Sequence, residues 1–348
     1  MDTTGCFLMH NRWAINLIAI NMKMKYILGL LLLLSVVACK KIQNGFLSDS
    51  IRYKDNNIYA KRGLPLFQSD RINADGSTPP FTYKLLNLRK EDGSPAPAEF
   101  SKEYEITVFK TGANFDAETD VTLELLNKKR EVVKKKPMEF NELSGQLTFN
   151  KASGFLPLGR YVYDVEMTNG TGTRLFPKLA TINVVDPTID DLFEITDNVA
   201  NGFNDVTGVA TPMKNPIITC TKISSTGARA ILKMVDKNGK VFNPKAKEII
   251  ARGDRPIFEN YAKFNPVIQT DTAMICDFEL APFPLTKYVT PTTDWGFLMY
   301  YRIPSTFIKS IDGFPSSPGF SVNPRWSWRL KLEGTYVIEV KFTDVIKK

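Results

Sequence analysis

A ten-residue pattern occurs twice in this chain, and it restricts the fold more than any other sequence feature. The pattern G-x-Y-V-x-(D/E)-V-x-(M/F)-T spans residues 159–168 and again residues 334–343. In both copies the apolar side chains occupy alternate positions, which is typical of a strand with one buried face. No sustained 3.6-residue apolar periodicity follows residue 39, so we expect little helix. The sequence therefore predicts an all-β protein.

A second repeat lies upstream of the first, in the same order in both halves of the chain. Residues 125–133 align without gaps to residues 234–242, and each segment is interpreted as a strand, a polar turn and a strand. Asn238-Gly239 is a strong hairpin signal, although chance similarity between two hairpins is an alternative. The leading Gly-x-Tyr of the first pattern resembles the tyrosine corner of immunoglobulin-like domains. The predicted fold is therefore two tandem immunoglobulin-like β-sandwich domains.

The boundary between these domains is predicted from a segment rich in turn-forming residues at 186–191. The first sandwich is placed at residues 58–186 and the second at residues 187–348. The two matched segments of the second domain lie about three times as far apart as those of the first. We therefore predict that an insertion at residues 252–328 enlarges the second domain.

This insertion is rich in aromatic residues, which make up 15 of its 77 residues. One interpretation is a hydrophobic core, since Trp326 and Trp328 share a strand face and aromatic side chains dominate core packing. The other is a flat surface that stacks on sugar rings. The residues proposed for that surface are Trp295, Tyr288 and Tyr301, with Asp294 and Arg302 as nearby hydrogen-bonding groups.

The start of the chain carries an export signal. Lys25 precedes an apolar run at residues 26–37, and Ala38 is followed by Cys39. This arrangement is typical of a secretory signal peptide at residues 1–38. It also resembles a bacterial lipobox, which implies that Cys39 is lipidated and that residues 39–57 form a tether. The apolar run is shorter than the roughly 20 residues that a membrane-spanning helix needs.

Charged and polar residues before the apolar run suggest that translation begins at Met22 or Met24. The sequence contains one histidine, His10, which would be lost with the leader. Its loss would exclude Ser-His-Asp sites, histidine general bases and histidine-liganded zinc from the mature protein. We therefore predict no catalytic residue, no metal site and no cofactor, and the protein is not expected to be an enzyme.

Two cysteines other than Cys39 remain in the mature chain, Cys220 and Cys276. Export to an oxidising compartment permits a disulfide between them. Two buried free thiols are the alternative, because the sequence does not give the Cα separation that a disulfide requires.

The net charge of the full sequence is +8, and the basic residues are spread along the chain. Their densest cluster, residues 128–136, has no interleaved aromatic side chains, so we do not expect nucleic acid as a partner.

Three further segments, together with the Ala-Cys-Lys-Lys sequence that includes Cys39, resemble a Bacteroidetes outer-membrane lipoprotein family of unknown function. These segments are residues 299–304, 311–315 and 323–325. The family is similar to the SusE/SusF-like accessory lipoproteins of glycan-uptake loci. The resemblance implies a lipid-anchored outer-membrane protein with a glycan ligand and a SusC/SusD-like complex as partner. Residues 40–47 contain no acidic residue, so the cell surface and the periplasmic face both remain open.

Three functions are compatible with these features. The first is a non-catalytic carbohydrate-binding or uptake accessory protein. The second is a structural or assembly lipoprotein that docks onto a membrane transporter. The third is a polysaccharide hydrolase that uses carboxylates alone, because acid-base chemistry by Asp and Glu does not need histidine.

Overall fold

The computed structural model describes residues 45–316 and 319–348. The predicted signal peptide, Cys39 and the first part of the predicted tether lie outside the described residues. Within the described residues, no helix is long and apolar enough to cross a membrane.

The first half of the described chain, residues 45–185, consists mainly of strands. Its four-stranded sheet has the order β1-β9-β8-β3, its three-stranded sheet the order β2-β7-β6, and β4 pairs with β5 alone. The strands are β1 (Asn57–Lys61), β2 (Leu66–Gln68), β3 (Phe81–Lys90), β4 (Tyr104–Phe109), β5 (Arg130–Lys135), β6 (Met138–Phe140), β7 (Leu147–Asn150), β8 (Gly159–Asn169) and β9 (Gly172–Val185). This half also contains the helix α1 (Leu123–Lys128) and two 3-10 turns, Ala98–Phe100 and Lys151–Phe155.

The second half, residues 186–348, contains two five-stranded sheets. Their orders are β11-β10-β21-β19-β14 and β12-β22-β13-β16-β15, and β17 pairs with β18 and β20 with β23. The strands are β10 (Phe193–Asn204), β11 (Ala210–Pro212), β12 (Ile217–Ser224), β13 (Arg229–Val235), β14 (Ile250–Ala251), β15 (Ile268–Gln269), β16 (Met274–Asp277), β17 (Val289–Thr290), β18 (Thr293–Asp294), β19 (Leu298–Arg302), β20 (Ile308–Ile311), β21 (Phe320–Leu330), β22 (Thr335–Lys341) and β23 (Val345–Lys347). The helix α2 (Ile189–Leu192) precedes β10, and 3-10 turns lie at Phe258–Tyr261 and Ser305–Phe307.

Each half has its own hydrophobic core. In the second half, Trp326 and Met299 from one five-stranded sheet and Leu232 and Ile338 from the other belong to a single buried cluster. A separate cluster, which includes Tyr163 of β8, lies in the first half. The structure confirms the predicted all-β fold class, and segments of the 252–328 insertion contribute to the second core. The residue boundaries of the two domains stay a prediction.

The repeated pattern forms the same local structure in both halves. Tyr161 in β8 and Tyr336 in β22 are buried, and each donates a hydrogen bond from its hydroxyl to the carbonyl four residues upstream. Tyr161 bonds Pro157 at 3.0 Å, and Tyr336 bonds Leu332 at 2.9 Å. The glycine two residues before each tyrosine has a φ near +150° (Gly159 +151°, Gly334 +148°), which a residue with a side chain rarely adopts. The glycine lets the backbone turn before the strand, and the hydrogen bond of the tyrosine hydroxyl stabilises that turn, as in immunoglobulin-like sandwiches.

Removing either hydroxyl tests whether the two halves unfold separately. We expect Tyr161→Phe and Tyr336→Phe each to lower the free energy of unfolding by about 1 kcal/mol, because each leaves a carbonyl without its donor. If the halves are independent, each variant shifts only the transition of its own half in urea denaturation followed by circular dichroism. A single transition lowered equally by both variants would contradict the two-domain division.

The structure predicted for the second sequence repeat agrees with the observed one only in the second half, for β13 and the turn after it. In the second half, β13 is followed by a tight turn, and Phe242 N donates to Met234 O at 2.9 Å, as expected for a chain reversal. The segment after the turn is not a strand, because only the isolated bridge between Val235 and Val241 pairs it with β13. In the first half, the predicted strand and turn at residues 125–130 are wrong, because α1 occupies residues Leu123–Lys128. Thr122 caps this helix by accepting a hydrogen bond from Leu125 N.

Candidate functional site

The candidate site is a short aromatic hairpin in the second half. The strands β17 and β18 pair through two residues each. Tyr288 directly precedes β17, and Trp295 directly follows β18. Trp295 N donates to Tyr288 O at 3.0 Å, and Tyr288 N donates to Gly296 O at 2.9 Å. These bonds hold the two aromatic residues next to each other at the base of the hairpin. Both side chains are half-buried, so each retains an exposed part.

Buried aromatic side chains support this pair from behind. The ring of Trp295 packs edge-on against Tyr300 with centroids 5.4 Å apart, and Tyr288 packs edge-on against Tyr261 at 6.2 Å. The Tyr261 hydroxyl donates to Leu298 O at 2.6 Å. Burial raises the pKa of Tyr261, so the hydroxyl remains a neutral donor. The two half-buried rings therefore pack against the buried side chains of Tyr261 and Tyr300.

Charged groups border the aromatic pair. Lys287 and Asp294 form an exposed ion pair with 3.6 Å between Nζ and Oδ2. Asp294 also accepts a hydrogen bond from Gly296 N at 2.8 Å, which stabilises the turn before Gly296. On the other side, the guanidinium of Arg255 lies 5.6 Å from the centroid of Tyr300. The hairpin thus combines two partly exposed aromatic side chains with polar groups at its rim.

The third residue proposed for sugar stacking, Tyr301, does not reach the surface. It is 2% exposed and stacks on Trp326 with centroids 5.7 Å apart. Its hydroxyl accepts a hydrogen bond from Phe258 N at 2.8 Å and lies 3.3 Å from Glu259 Oε2. The assignment of Tyr301 to a ligand surface is therefore wrong, because its side chain points into the core between the sheets.

The sequence prediction missed Tyr300, although a signal for it was present. Successive residues of a strand point to opposite faces, so Tyr300 and Tyr301 in β19 cannot both line one surface. Because Tyr301 faces the core, Tyr300 takes the outer position beneath Trp295. Trp326 and Trp328 are fully buried, as the core interpretation expects.

Cys220 and Cys276 are free thiols in the structure. They lie in β12 and β16 of the same sheet, and β22 and β13 separate these two strands. Neighbouring strands are about 4.8 Å apart, so the two Cα atoms are far beyond the reach of a disulfide. Burial raises the pKa of both thiols to about 12, which keeps them protonated. Of the two alternatives, the structure thus has the free thiols, and the possible disulfide is not formed.

A cleft separate from the aromatic hairpin lies between the two halves. This cleft has a volume of about 1000 Å³. Much of the charge along it is already neutralised by ion pairs between lining residues: Arg62 with Asp186, Lys135 with Glu139 at 3.3 Å, and Lys151 with Glu333 at 2.7 Å. The first and the last of these join the two halves, so the cleft is interpreted as the interface between them.

Comparison with known proteins leaves this chain without an identified family. No family model matches it, and no curated protein matches it. Solved structures align with it at low similarity, among them the following two. The titin domains Z1Z2, solved in complex with telethonin, show 9% identity and a TM-score of 0.20, and the match covers 85% of this chain and 98% of that one.

Another aligned structure is a SusE-like, surface-located polysaccharide-binding protein from the heparin utilisation locus of Bacteroides thetaiotaomicron. It shows 8% identity and a TM-score of 0.19, and the match covers 84% of this chain and 53% of that one. This chain therefore spans about half of that protein's length. At these TM-scores neither likeness carries an argument about fold or function.

Proposed function

We propose that this protein is a non-catalytic carbohydrate-binding accessory lipoprotein of the outer membrane. The observation that carries the proposal is the Tyr288–Trp295 pair, two half-buried aromatic side chains held together by the hydrogen bonds of one hairpin. In this proposal Cys39 anchors the chain, the tether extends it from the membrane, and the hairpin binds the glycan.

The physical basis is the amphipathic character of both partners. A sugar ring has an apolar C–H face and a rim of hydroxyl groups, whereas Trp and Tyr combine a flat apolar body with one polar atom. The exposed parts of Tyr288 and Trp295 can cover the C–H face. The Lys287–Asp294 pair at the rim supplies donors and acceptors for the hydroxyl groups. Binding residues on loops that a rigid sandwich positions are common.

The absence of catalysis is part of the proposal and rests on the sequence. With the leader removed, the chain contains no histidine. A hydrolase that uses carboxylates alone is the alternative, and turnover of a polysaccharide by the purified protein would establish it. Docking to a SusC/SusD-like transporter complex is proposed as the setting in which the bound glycan is passed on.

Alanine substitution of the aromatic pair tests the binding site. We expect Trp295→Ala and Tyr288→Ala each to weaken binding roughly three- to tenfold, since one aromatic stacking contact contributes about 0.5–1.5 kcal/mol. Affinity electrophoresis against a panel of polysaccharides measures the loss. Tyr59→Ala, which removes an exposed tyrosine of the first half, is the matched control and should leave binding unchanged. Equal retention of both hairpin variants and the wild-type protein in every gel would refute the site.

A further inference from the structure

The outer face of the sheet β11-β10-β21-β19-β14 carries a group of arginines next to the aromatic hairpin. Arg302 in β19 pairs with Ile250 of β14, and Arg325 in β21 pairs with Tyr300 of β19. Because alternate residues of a strand face opposite sides, Arg302, Arg325 and Tyr300 share the side away from the buried core. Arg252 directly follows β14 on the same edge. The fold thus brings together three arginines that are far apart in the sequence.

The contacts of these arginines leave most of their positive charge without a partner. Arg325 Nε lies 3.1 Å from Asp197 Oδ2. Arg302 Nε donates to Asn323 Oδ1 at 2.9 Å, and its guanidinium lies 4.4 Å from the ring centroid of Phe203. Neither contact of Arg302 is with a carboxylate.

Arg252 is less well paired still. It makes no side-chain hydrogen bond or ion pair with any described residue, although it is half-buried. Its burial and the nearby charges of Arg255, Arg302 and Arg325 hold the pKa of Arg252 below its ordinary value. Such mutual repulsion disfavours the arrangement unless an anion offsets it.

A buried amide provides a second, independent sign of a missing partner. Asn323 is 1% exposed, and its Oδ1 is occupied by Arg302. Its Nδ2, by contrast, has no hydrogen-bond acceptor among the described residues. Buried polar groups nearly always have a partner. An anion bound beside Arg302 would supply an acceptor for this amide as well as charge for the arginines.

We propose that Arg252, Arg302 and Arg325, with Asn323, bind a carboxylate or sulfate group of the glycan, so that the ligand is an acidic polysaccharide. This inference rests on the proposed function. Tyr300 connects the aromatic hairpin to the arginines, because the ring of Trp295 packs on it with centroids 5.4 Å apart and Arg325 pairs with it across the sheet. A sugar ring on the hairpin would place its acidic substituent toward the arginines. The planar guanidinium suits such groups because it donates two parallel hydrogen bonds to them.

The test compares polymers that differ only in charge. Polygalacturonate is set against its methyl ester, and dextran sulfate against dextran, in affinity electrophoresis and in titration calorimetry. We expect the charged member of one pair to bind at least about tenfold more tightly than its neutral counterpart. The pair that shows this preference identifies the recognised group as a carboxylate or a sulfate. Arg252→Gln and Arg302→Gln should each remove most of this preference, whereas Arg302→Lys should restore only part of it because the bidentate fork is lost.

Arg174→Gln is the matched control, since it removes the same charge from an exposed position of the first half. Its binding of the acidic polymer should equal that of the wild-type protein. Equal loss in Arg174→Gln would overturn the inference by showing unspecific charge attraction. Equally tight binding of neutral and charged polymers, unaffected by Arg252→Gln or Arg302→Gln, would also overturn the inference. If Trp295→Ala weakened that binding, the proposed function would still stand.

Inorganic sulfate separates the anion site from glycan binding. Sulfate should raise the melting temperature of the wild-type protein and of Arg174→Gln, but have less effect on Arg302→Gln. If sulfate protects in this way while no polysaccharide binds, the anion site stands and the proposed function fails. If sulfate has the same effect on all three proteins, the anion site is overturned.

Discussion

Replacing Trp328 with alanine is expected to lower the free energy of unfolding of the second half by about 3–5 kcal/mol. The side chain is fully buried, and its ring centroid lies 5.6 Å from that of Phe258, 6.1 Å from Phe283 and 6.4 Å from Phe193. Alanine would leave a cavity among these rings, which all belong to the buried core of the second half. Urea denaturation followed by far-ultraviolet circular dichroism measures the loss without depending on tryptophan fluorescence.

Trp295→Ala provides the matched comparison for this prediction. It removes the same side chain from a half-exposed position on the hairpin, so its cost should be much smaller than that of Trp328→Ala. Equal destabilisation by the two substitutions would contradict the assignment of Trp328 to the core. A folded Trp295→Ala protein is also the form needed for the binding experiment.

Asp164→Ala is expected to destabilise the first half by about 3 kcal/mol at neutral pH. Asp164 in β8 accepts hydrogen bonds from Asn87 Nδ2 at 2.8 Å, Arg89 at 2.9 Å and Lys178 N at 2.9 Å. Asn87 and Lys178 both have a positive φ, close to +50°, and each lies at an irregularity of a neighbouring strand. The carboxylate therefore holds two strained bends in place, one on each side of β8.

The effect of this substitution should depend on pH. Burial by itself would raise the pKa of Asp164, but the hydrogen bonds from Lys178, Asn87 and Arg89 outweigh it and hold the pKa below its ordinary value. The stabilisation is thus complete above the unfolded pKa of about 3.9, and it is lost as the pH falls through the folded value. The difference between the wild-type protein and Asp164→Ala should shrink in acid.

Asp70→Ala is the control for the pH series, because it removes an exposed carboxylate from the same half. Its cost should be well below that of Asp164→Ala at neutral pH. The measurement is the urea midpoint of the wild-type protein and of both variants from about pH 3 to pH 7. A constant difference between the wild-type protein and Asp164→Ala over this range would contradict the role given to the carboxylate.

The strands with strong alternation were predictable from the sequence. Residues 159–168 and 334–343 form β8 and β22 with the expected inward side chains, because period-2 alternation and a glycine before the tyrosine are local properties. The segment at residues 125–130 was not predictable in the same way. Its residues favour helix. Leu125 N donates a capping hydrogen bond to Thr122 Oγ1, and the side chain of Leu126 is buried, so this segment forms α1.

The candidate site was predictable only in part. Tyr288 and Trp295 lie together as expected of a shared surface, whereas Tyr301 belongs to the core and the unpredicted Tyr300 supports Trp295. Alternation showed that Tyr300 and Tyr301 face opposite ways, but it did not show which face is covered. That depends on where the second sheet packs, which is a long-range property.

The sequence by itself determined that the chain is made of strands, that it contains two related tyrosine corners, and that no histidine remains after the predicted leader. These properties follow from residue types and short spacings. Only the tertiary structure decided which aromatic rings are exposed and that Arg252, Arg302 and Arg325 share one face. The physical reason is that strand pairing joins residues 25 to 52 positions apart, and no local pattern records which strands become neighbours.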